Sequence, residues 1–461
     1  MTRERLVPVV LGVLFGLTAL GSASSAVVAP DIATDLDLRT SGIAAVFVAF
    51  SIAFAATTAV YGRLGDIHGE RRPLLAGVAI MAVGSVISAA APNLLVLVAG
   101  RIVQGAGAGA VPALVPGVLR SGVPDDEQPA ALGVVAATAG VFAAAGPLLG
   151  GLAGAALGWR LAMVLPLAGV ALIPILARLA DDDGAAERAL DRRGAVLVAS
   201  LVTAVVLVLQ APGLGVIVGL VGGVAAVGAA FAWWRHQRLD GDGFTPDVIV
   251  RARSFWLNAT VGAALSAVYL SILLAVPVRL AATEGWSAIQ IGAALVPAAA
   301  LGPVASAVGR RVTTRVSSET VAGLGVVVAG LGSIAAAATD SPIVQVIGFG
   351  SAIFGFGLGQ PALIDRIARS TDVAHRGVAV GLFNLVFFLG GAIGSALVGS
   401  FGIDGGSAIA AAAALSAGSL LAVPHDTPFS RCLHSTGTIA GAVHCLTNPG
   451  PAAARPGTAR P

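Results

Sequence analysis

The chain contains no lysine; all 27 of its basic residues are arginine. That absence removes two kinds of chemistry. A phosphate-binding P-loop needs a Lys after its glycines, and a Schiff-base enzyme needs a Lys amine. An ATP-driven pump built on this chain alone is therefore not expected. Charge of either sign is also scarce. Only 11% of residues are charged and 56% are hydrophobic, whereas a soluble domain carries roughly 25% charged residues. Cysteine is nearly missing. Cys432 and Cys445 both fall in the last thirty residues, so no disulfide framework is implied. The net charge of +3 is too small for a nucleic-acid footprint.

What remains is long apolar sequence, with a mean hydropathy of +0.91. Runs of about 20 apolar residues mark membrane-spanning helices, and they predict an all-α polytopic membrane protein. Six runs come first, at 6–28, 42–61, 74–91, 94–119, 130–152 and 161–179. A polar stretch follows, then a pair at 195–210 and 214–234 divided by the short Pro212-Gly213 turn. A second polar stretch precedes six more, at 255–280, 289–308, 320–338, 343–364, 377–401 and 407–423. The total is about fourteen. The first run is too long for a signal-peptide core and reads as a retained helix.

The arginines orient this map. With the N-terminus inside, the inner connections collect Arg63, Arg71 and Arg72, then Arg188, Arg192 and Arg193, then Arg310, Arg311 and Arg315. The outer connections and helix ends hold only Arg39, Arg160 and Arg279. This is a positive-inside bias, and it predicts a multi-pass plasma-membrane protein with both termini cytoplasmic. The domain expectation is a six-helix bundle over 1–180, an inserted two-helix linker over 181–254, a second six-helix bundle over 255–424 and a disordered tail over 425–461.

Three patterns stand out. Between the second and third runs lies Gly62-Arg63-Leu64-Gly65-Asp66-Ile67-His68-Gly69-Glu70-Arg71-Arg72, a charged loop at one membrane face. The fourth run carries Arg101-Ile102-Val103-Gln104-Gly105. A charge at mid-membrane costs on the order of 3 kcal/mol, so Arg101 either faces a polar partner such as Gln104, one turn away, or snorkels to the interface. The fifth run carries Gly146-Pro147-Leu148-Leu149-Gly150-Gly151. Gly146, Gly150 and Gly154 recur every four residues and give one smooth face for close helix packing. A related stretch, Leu389-Gly390-Gly391-Ala392-Ile393-Gly394, sits in the fifth run of the second set, and such parallel repeats are typical of transporters.

These motifs resemble those of the major facilitator superfamily, and in particular its fourteen-span drug:proton antiporter branch. Residues Gly62 to Arg72 look like its loop Gly-x-Leu-x-Asp-x-x-Gly-x-Arg/Lys, Arg101 to Gly105 like its Arg-x-x-Gln-Gly, and Gly146 to Gly151 like its antiporter motif. Gly158-Trp159-Arg160 and Arg376-Gly377 extend the similarity over about 6–423. The resemblance implies the major facilitator fold, two six-helix bundles plus an inserted helix pair. It implies a conformational latch at Gly62, Asp66, Gly69, Arg71 and Arg72. It places transport or coupling roles on Arg101, Gln104 and Gly105, and an antiporter-type helix at Gly146, Pro147, Gly150 and Gly151. Two basic positions of the loop have become Ile67 and Glu70, and the second-set copy has Thr313 where an acid is expected, so the latch is asymmetric.

One departure bears on coupling. The family branch often carries an Asp about nine residues before the Pro that ends the first span; here the Pro is Pro30 and the Asp position is Gly21. No Asp or Glu falls inside any of the fourteen runs, and Asp31, Asp365 and Asp404 lie at their ends. A midplane proton carrier usually needs a titratable group, and Arg101 does not deprotonate at ordinary pH. Proton coupling is thus implied by the resemblance alone, with Asp31 or Asp66 as the available acids. The shortage of buried acid argues against dicationic substrates and leaves neutral, anionic or weakly amphipathic ones. Ser25, Tyr269, Gln360 and Asn384 are candidates to line the cavity, or else to make interhelical hydrogen bonds.

In the tail, Cys432, His434, His444 and Cys445 match no compact zinc-binding spacing, so no metal site and no cofactor are expected. The expected function is export of small hydrophobic or amphipathic compounds, such as drugs, antibiotics or metabolites, by alternating access, with lipid and protons as the other partners and no ATP. An importer or uniporter is the alternative within transport. A non-transporting membrane sensor or assembly partner is the alternative outside it. Without an intramembrane His, Cys or acid, a membrane-embedded enzyme is not expected.

Overall fold

The computed structural model describes residues 3–124, 127–179, 192–209, 216–239, 247–313, 315–371 and 376–419. Among these no strand occurs, as lipid demands, because a helix satisfies its own backbone hydrogen bonds. The first part holds α1 (Arg3–Val27), α2 (Ala29–Asp35), α3 (Thr40–His68), α4 (Arg71–Ala89), α5 (Leu94–Ala108), α6 (Ala110–Gly122) and α7 (Gln128–Leu157). It ends on α8 (Trp159–Val164), a 3-10 turn (Leu165–Leu172) and α9 (Ile173–Leu179). Pro166 and Pro174 interrupt that last span, because each removes a backbone donor. The pair α10 (Arg192–Leu209) and α11 (Val216–Leu239) follows. After a short α12 (Asp247–Val250) come α13 (Arg253–Glu284), α14 (Ala288–Ala299), α15 (Leu301–Val312), α16 (Ser318–Ala337), α17 (Pro342–Ser370) and α18 (Arg376–Ser419).

Eleven helices among the described residues are long and apolar enough to cross a membrane, against about fourteen expected. Part of the difference lies in the last of them, Val378–Gly418, which is 41 residues long. At 1.5 Å per residue that is about 60 Å, twice a bilayer core. It breaks at Gly402, where φ is 78° and ψ 174°, so α18 comprises two helical segments. The pair α10 and α11 accounts for the rest. They pack on each other, and α10 also touches α3 and α18, but neither is among the eleven. The Pro212-Gly213 turn, most of the polar stretches flanking the pair, and the tail with Cys432, His434, His444 and Cys445 lie outside the described residues.

The charged stretch from Gly62 to Arg72 is not an open loop. Residues 62–68 complete α3, and Arg71 and Arg72 open α4. The reversal is confined to Gly69 and Glu70, with Gly69 at φ 74°, a conformation only glycine adopts cheaply. The charges that suggested a loop are accommodated on helix ends. Gly65 serves a different purpose, since a Cβ there would lie 2.6 Å from Leu114 Cδ2 of α6.

In the first part α1 packs on α7, and α5 on both α3 and α4; in the second, α13 packs on α18, and α17 on both α15 and α16. Lipid supplies no hydrophobic drive between spans, so close packing through small residues carries the association. A Cβ on Gly146 would sit 2.6 Å from Ala23 Cβ, and one on Gly150 would sit 2.5 Å from Ser24 Cα. The repeat is visible in the second part, where Gly390 and Gly394 of α18 lie directly against the Ala263 and Ala267 carbonyls of α13.

Two seams join the parts. Along one, α7 meets α14 and α15: Gly151 is against Ala288, Gly292 against the Pro147 carbonyl, and Gly140 against Pro303. Along the other, α3 meets α18: Ala44 touches Gly399, and Val48 packs with Ala392 and Ala396. One hydrophobic core links Val27, Ile32, Phe47 and Trp159 with Leu265, Phe349 and Phe387. The arginine-rich ends of the first part, including Leu11, Leu14, Leu74, Val118 and Leu176, form a core of their own.

Candidate functional site

Arg101 lies on α5 seven residues past Leu94, about 10 Å from the helix start. Its side chain is 1% exposed. It therefore does not snorkel. Nη1 donates to Gln104 Oε1 at 2.5 Å and to Ser25 Oγ at 3.4 Å. The Gln104 amide in turn donates to Ser85 Oγ of α4 at 2.8 Å. Cζ stands 4.4 Å from the centre of the Phe50 ring on α3, a contact worth about 2 kcal/mol when desolvated. These contacts offset a burial cost of several kcal/mol. Arg101 Nε and Nη2 and the buried Ser88 hydroxyl nonetheless have no hydrogen-bond partner.

Glycines bring α3, α4 and α5 this close. At Gly105 a Cβ would strike the Phe50 carbonyl of α3, and at Gly84 it would strike the Gln104 backbone. Gly105 thus presses α5 onto α3, which sets Phe50 under the guanidinium one turn back. Gly84 presses α4 onto α5, which brings Ser85 to Gln104.

The position where the resemblance led one to expect an acid, Gly21, has no room for one. A Cβ there would lie 2.5 Å from Pro166 Cγ. The Gly21 carbonyl accepts from Ser25 Oγ at 2.5 Å, so Arg101 reaches this turn of α1 through a hydroxyl and not a carboxylate.

From Phe50 a run of rings crosses the molecule. Phe50 stacks with Phe54 at 5.8 Å, and Phe54 meets Phe388 of α18 edge-on at 4.4 Å. Phe388 contacts Phe387 at 5.3 Å, Phe387 contacts Phe356 of α17 at 5.7 Å, and Phe356 stacks on Tyr269 of α13 at 4.1 Å. Gln360 is one turn from Phe356 and Asn384 one turn from Phe388, each on the ring-bearing face of its helix and toward the arginine-rich end. Ser25 and Tyr269 thus fall at opposite ends of one aromatic and polar tract. Sequence reading had not singled out Phe50, Phe54, Phe356, Phe387 or Phe388. Four-residue spacings, Phe50 with Phe54 and Phe383 with Phe387, were the available signal.

The remaining named residues lie elsewhere. Pro147 sits inside α7, which runs unbroken over 30 residues, and Gly151 faces α14. Arg71 is half-buried and Arg72 exposed; the side chain of Asp66 lies outside the described residues. Asp31, on α2 beyond the first span, is held above the usual carboxylate range by partial burial. Among the described residues no group of His, Cys, Asp and Glu forms a metal site.

Among solved structures, the peptide transporter PepTSo of the POT family superposes with a TM-score of 0.66, covering 91% of this chain and 97% of that one at 15% identity. A bacterial homologue of the lysosomal transporter Spinster, solved inward-facing and unoccupied, gives 0.62, covering 92% and 95% at 15% identity. These likenesses show the fold alone. In sequence, the chain is 27% identical over 383 residues to the multidrug resistance protein Stp of Mycobacterium tuberculosis, covering 80% of this chain and 71% of that protein. It is 28% identical over 438 residues to a probable actinorhodin transporter of Streptomyces coelicolor, covering 87% and 73%. It is 27% identical over 413 residues to the tetracenomycin C resistance and export protein of Streptomyces glaucescens, covering 86% and 76%. Residues 11–395 match the family model described as Major Facilitator Superfamily. Helical architecture, motif positions and family match converge, and the chain belongs to the Major Facilitator Superfamily.

Proposed function

We propose that this protein is a secondary transporter that exports small hydrophobic or amphipathic compounds, drugs or antibiotics among them, across a bacterial plasma membrane by alternating access. The two moving bodies are the six-helix bundles over 1–180 and 255–424, with the arginine-rich ends and both termini in the cytoplasm. The observation that carries the reading is the division of the core. The arginine-poor ends of the first bundle share one apolar core with the second bundle, whereas the apolar core at its arginine-rich ends is separate, and Arg310 of α15 crosses there to Gly133 of α7. This supports a molecule sealed on the outside, whose halves part on the inside. The names of the relatives, which are resistance and export proteins, support the outward direction. Arg101, Gln104 and Gly105 form the polar centre of the first bundle, Ser25, Tyr269, Gln360 and Asn384 contribute to the cavity, and Gly62, Asp66, Gly69, Arg71 and Arg72 act as the inner latch.

A susceptibility panel in an efflux-deficient bacterial host tests this, repeated with a protonophore. Raised resistance that collapses with the proton gradient is the expected result; unchanged susceptibility together with substrate-dependent uptake would overturn export. A uniporter is the second reading, favoured by Pro166 filling the space beside Gly21. It expects flux that follows the substrate gradient and ignores the protonophore.

A further inference from the structure

Arg101 is a buried cation whose neighbours are all neutral. Gln104 and Ser25 occupy Nη1, the Phe50 face lies beneath Cζ, and Nε and Nη2 bond nothing. Each buried donor left unmade costs about 1–3 kcal/mol, and an orphan in a native core calls for an explanation. Nε and Nη2 lie along one edge of the planar guanidinium, the edge that meets a carboxylate with two parallel hydrogen bonds. Among the described residues no carboxylate pairs with it, and no acid falls inside the apolar runs of the sequence. An anion that completes Arg101 must come from outside.

The aromatic tract says what that anion is attached to. Aromatic residues make up only 5% of the chain, yet six of them touch in series from Phe50 to Tyr269, across both bundles. Phe50, Phe356, Phe388 and Tyr269 are only half-buried, so ring surface remains to be covered. Aromatic faces and edges favour flat π systems over aliphatic chains of equal size. A positive charge at one end of the tract disfavours cations.

We propose that the substrates are planar polycyclic aromatic compounds carrying one negative charge. The ring system lies along the aromatic tract, and its carboxylate or phenolate oxygen accepts from Arg101 Nε and Nη2. The assignment rests on the exporter reading for its physiological meaning, but binding tests it independently.

The test uses three matched fluorescent probes, anthracene-9-carboxylate, anthracene-9-methanol and 9-(aminomethyl)anthracene, with decanoate as a non-aromatic anion. Binding to the purified full chain in detergent is followed by fluorescence, and flux is followed in everted vesicles. The carboxylate is expected to bind about tenfold or more tighter than the alcohol, the order of one charge-assisted pair. The amine is expected to bind weakest, and decanoate not to compete. Arg101→Gln brings the carboxylate-to-alcohol ratio close to one, and Arg101→Lys restores part of it, because a charge without the fork remains. Equal affinity for all three probes in the wild-type protein, or preference for the amine, overturns the proposal even if no variant folds. So does a ratio that survives Arg101→Gln. Export of the amine or alcohol but not the carboxylate sinks this inference and leaves the exporter standing. Selective binding of the carboxylate with no outward flux does the reverse.

Discussion

Gly158 and Gly402 hold the same backbone conformation, φ 79° and ψ 176° in the first and φ 78° and ψ 174° in the second. Each joins the fifth span of its bundle to the sixth, and each stands two residues before a charge at the arginine-poor end. After Gly158 comes Arg160, which pairs with Asp35 at 2.7 Å and with the Ala91 carbonyl at 3.3 Å. After Gly402 comes Asp404, which pairs with Arg279; that arginine also meets Asp340 at 2.8 Å and the Ala336 and Ala337 carbonyls at 3.3 Å. The two bundles thus carry the same clamp with its charges exchanged. The acid follows the first span in one, the base ends the first span in the other, and both reach the turn after the third span of their own bundle. Arg160 adds the face of Trp159, 4.3 Å away. A clamp that closes within each bundle leaves the bundles free to move as bodies.

This conformation is essentially reserved for glycine. Gly158→Ala and Gly402→Ala are each expected to cost about 1–3 kcal/mol, read as a lowered melting temperature in detergent. Space is not the cause, since a Cβ at either position meets nothing within 4 Å. Gly62→Ala is the control: the residue is helical, equally uncrowded, and the change is expected to gain up to about 1 kcal/mol. Equal behaviour of all three variants would dismiss the strain argument.

Asp31 and Asp35 share α2 and respond to pH with opposite signs. Hydrogen bonds from Trp159 and Arg160 hold Asp35 below the usual carboxylate range. Its stabilisation is complete above the unfolded value of about 3.9 and is lost as pH falls through the lower folded value. Asp31 is raised by burial, so its ionised form costs stability at neutral pH. That cost fades as pH falls through the raised folded value and is gone below the ordinary one. At pH 7, Asp35→Asn is expected to lower the melting temperature and Asp31→Asn to raise it, with the second difference vanishing on acidification. Melting curves between pH 3 and 8 decide, and shifts of the same sign at pH 7 refute the account.

Gly150 and Gly151 are neighbours that face different bundles. A Cβ on Gly150 lies 2.5 Å from Ser24 Cα within the first bundle; one on Gly151 lies 2.5 Å from the Ala288 carbonyl of the second. Overpacking costs roughly 1–3 kcal/mol. Gly150→Ala is expected to lower thermal stability. Gly151→Ala is expected to leave each bundle intact and shift the population toward opening at the arginine-poor end. Alkylation of a cysteine introduced at Ala44 reads that opening, and an unchanged labelling rate in Gly151→Ala contradicts it.

Asp66→Ala is expected to abolish transport while membrane insertion stays normal. Export assays paired with a quantified membrane fraction separate the two. Normal efflux by the variant removes the latch role from this motif.

Much of this was legible in the sequence for a simple reason. Lipid requires about 20 apolar residues per crossing, so span positions are written locally, and ten of the eleven candidate spans begin and end within a few residues of an apolar run. Arginine placement and the spacings around Asp66, Arg101 and Gly146 are likewise local, and they indicated the family. Where the reading differed, the reason was also physical. Residues 62–68 stay helical because charge at a helix end needs only water, not an unwound backbone, and one left-handed glycine suffices to reverse the chain.

Composition and periodicity alone fixed that the chain crosses lipid many times, that no acid falls inside its apolar runs, and that it repeats a small-residue helix in each half. Only the tertiary structure decided that Arg101 meets a hydroxyl, an amide and a ring in place of a carboxylate, that Pro166 occupies the space beside Gly21, and that six rings from both halves touch in series. Those relations join residues as many as 334 positions apart, Phe54 to Phe388. They depend on how closely glycines let the helices approach, and no local pattern encodes that.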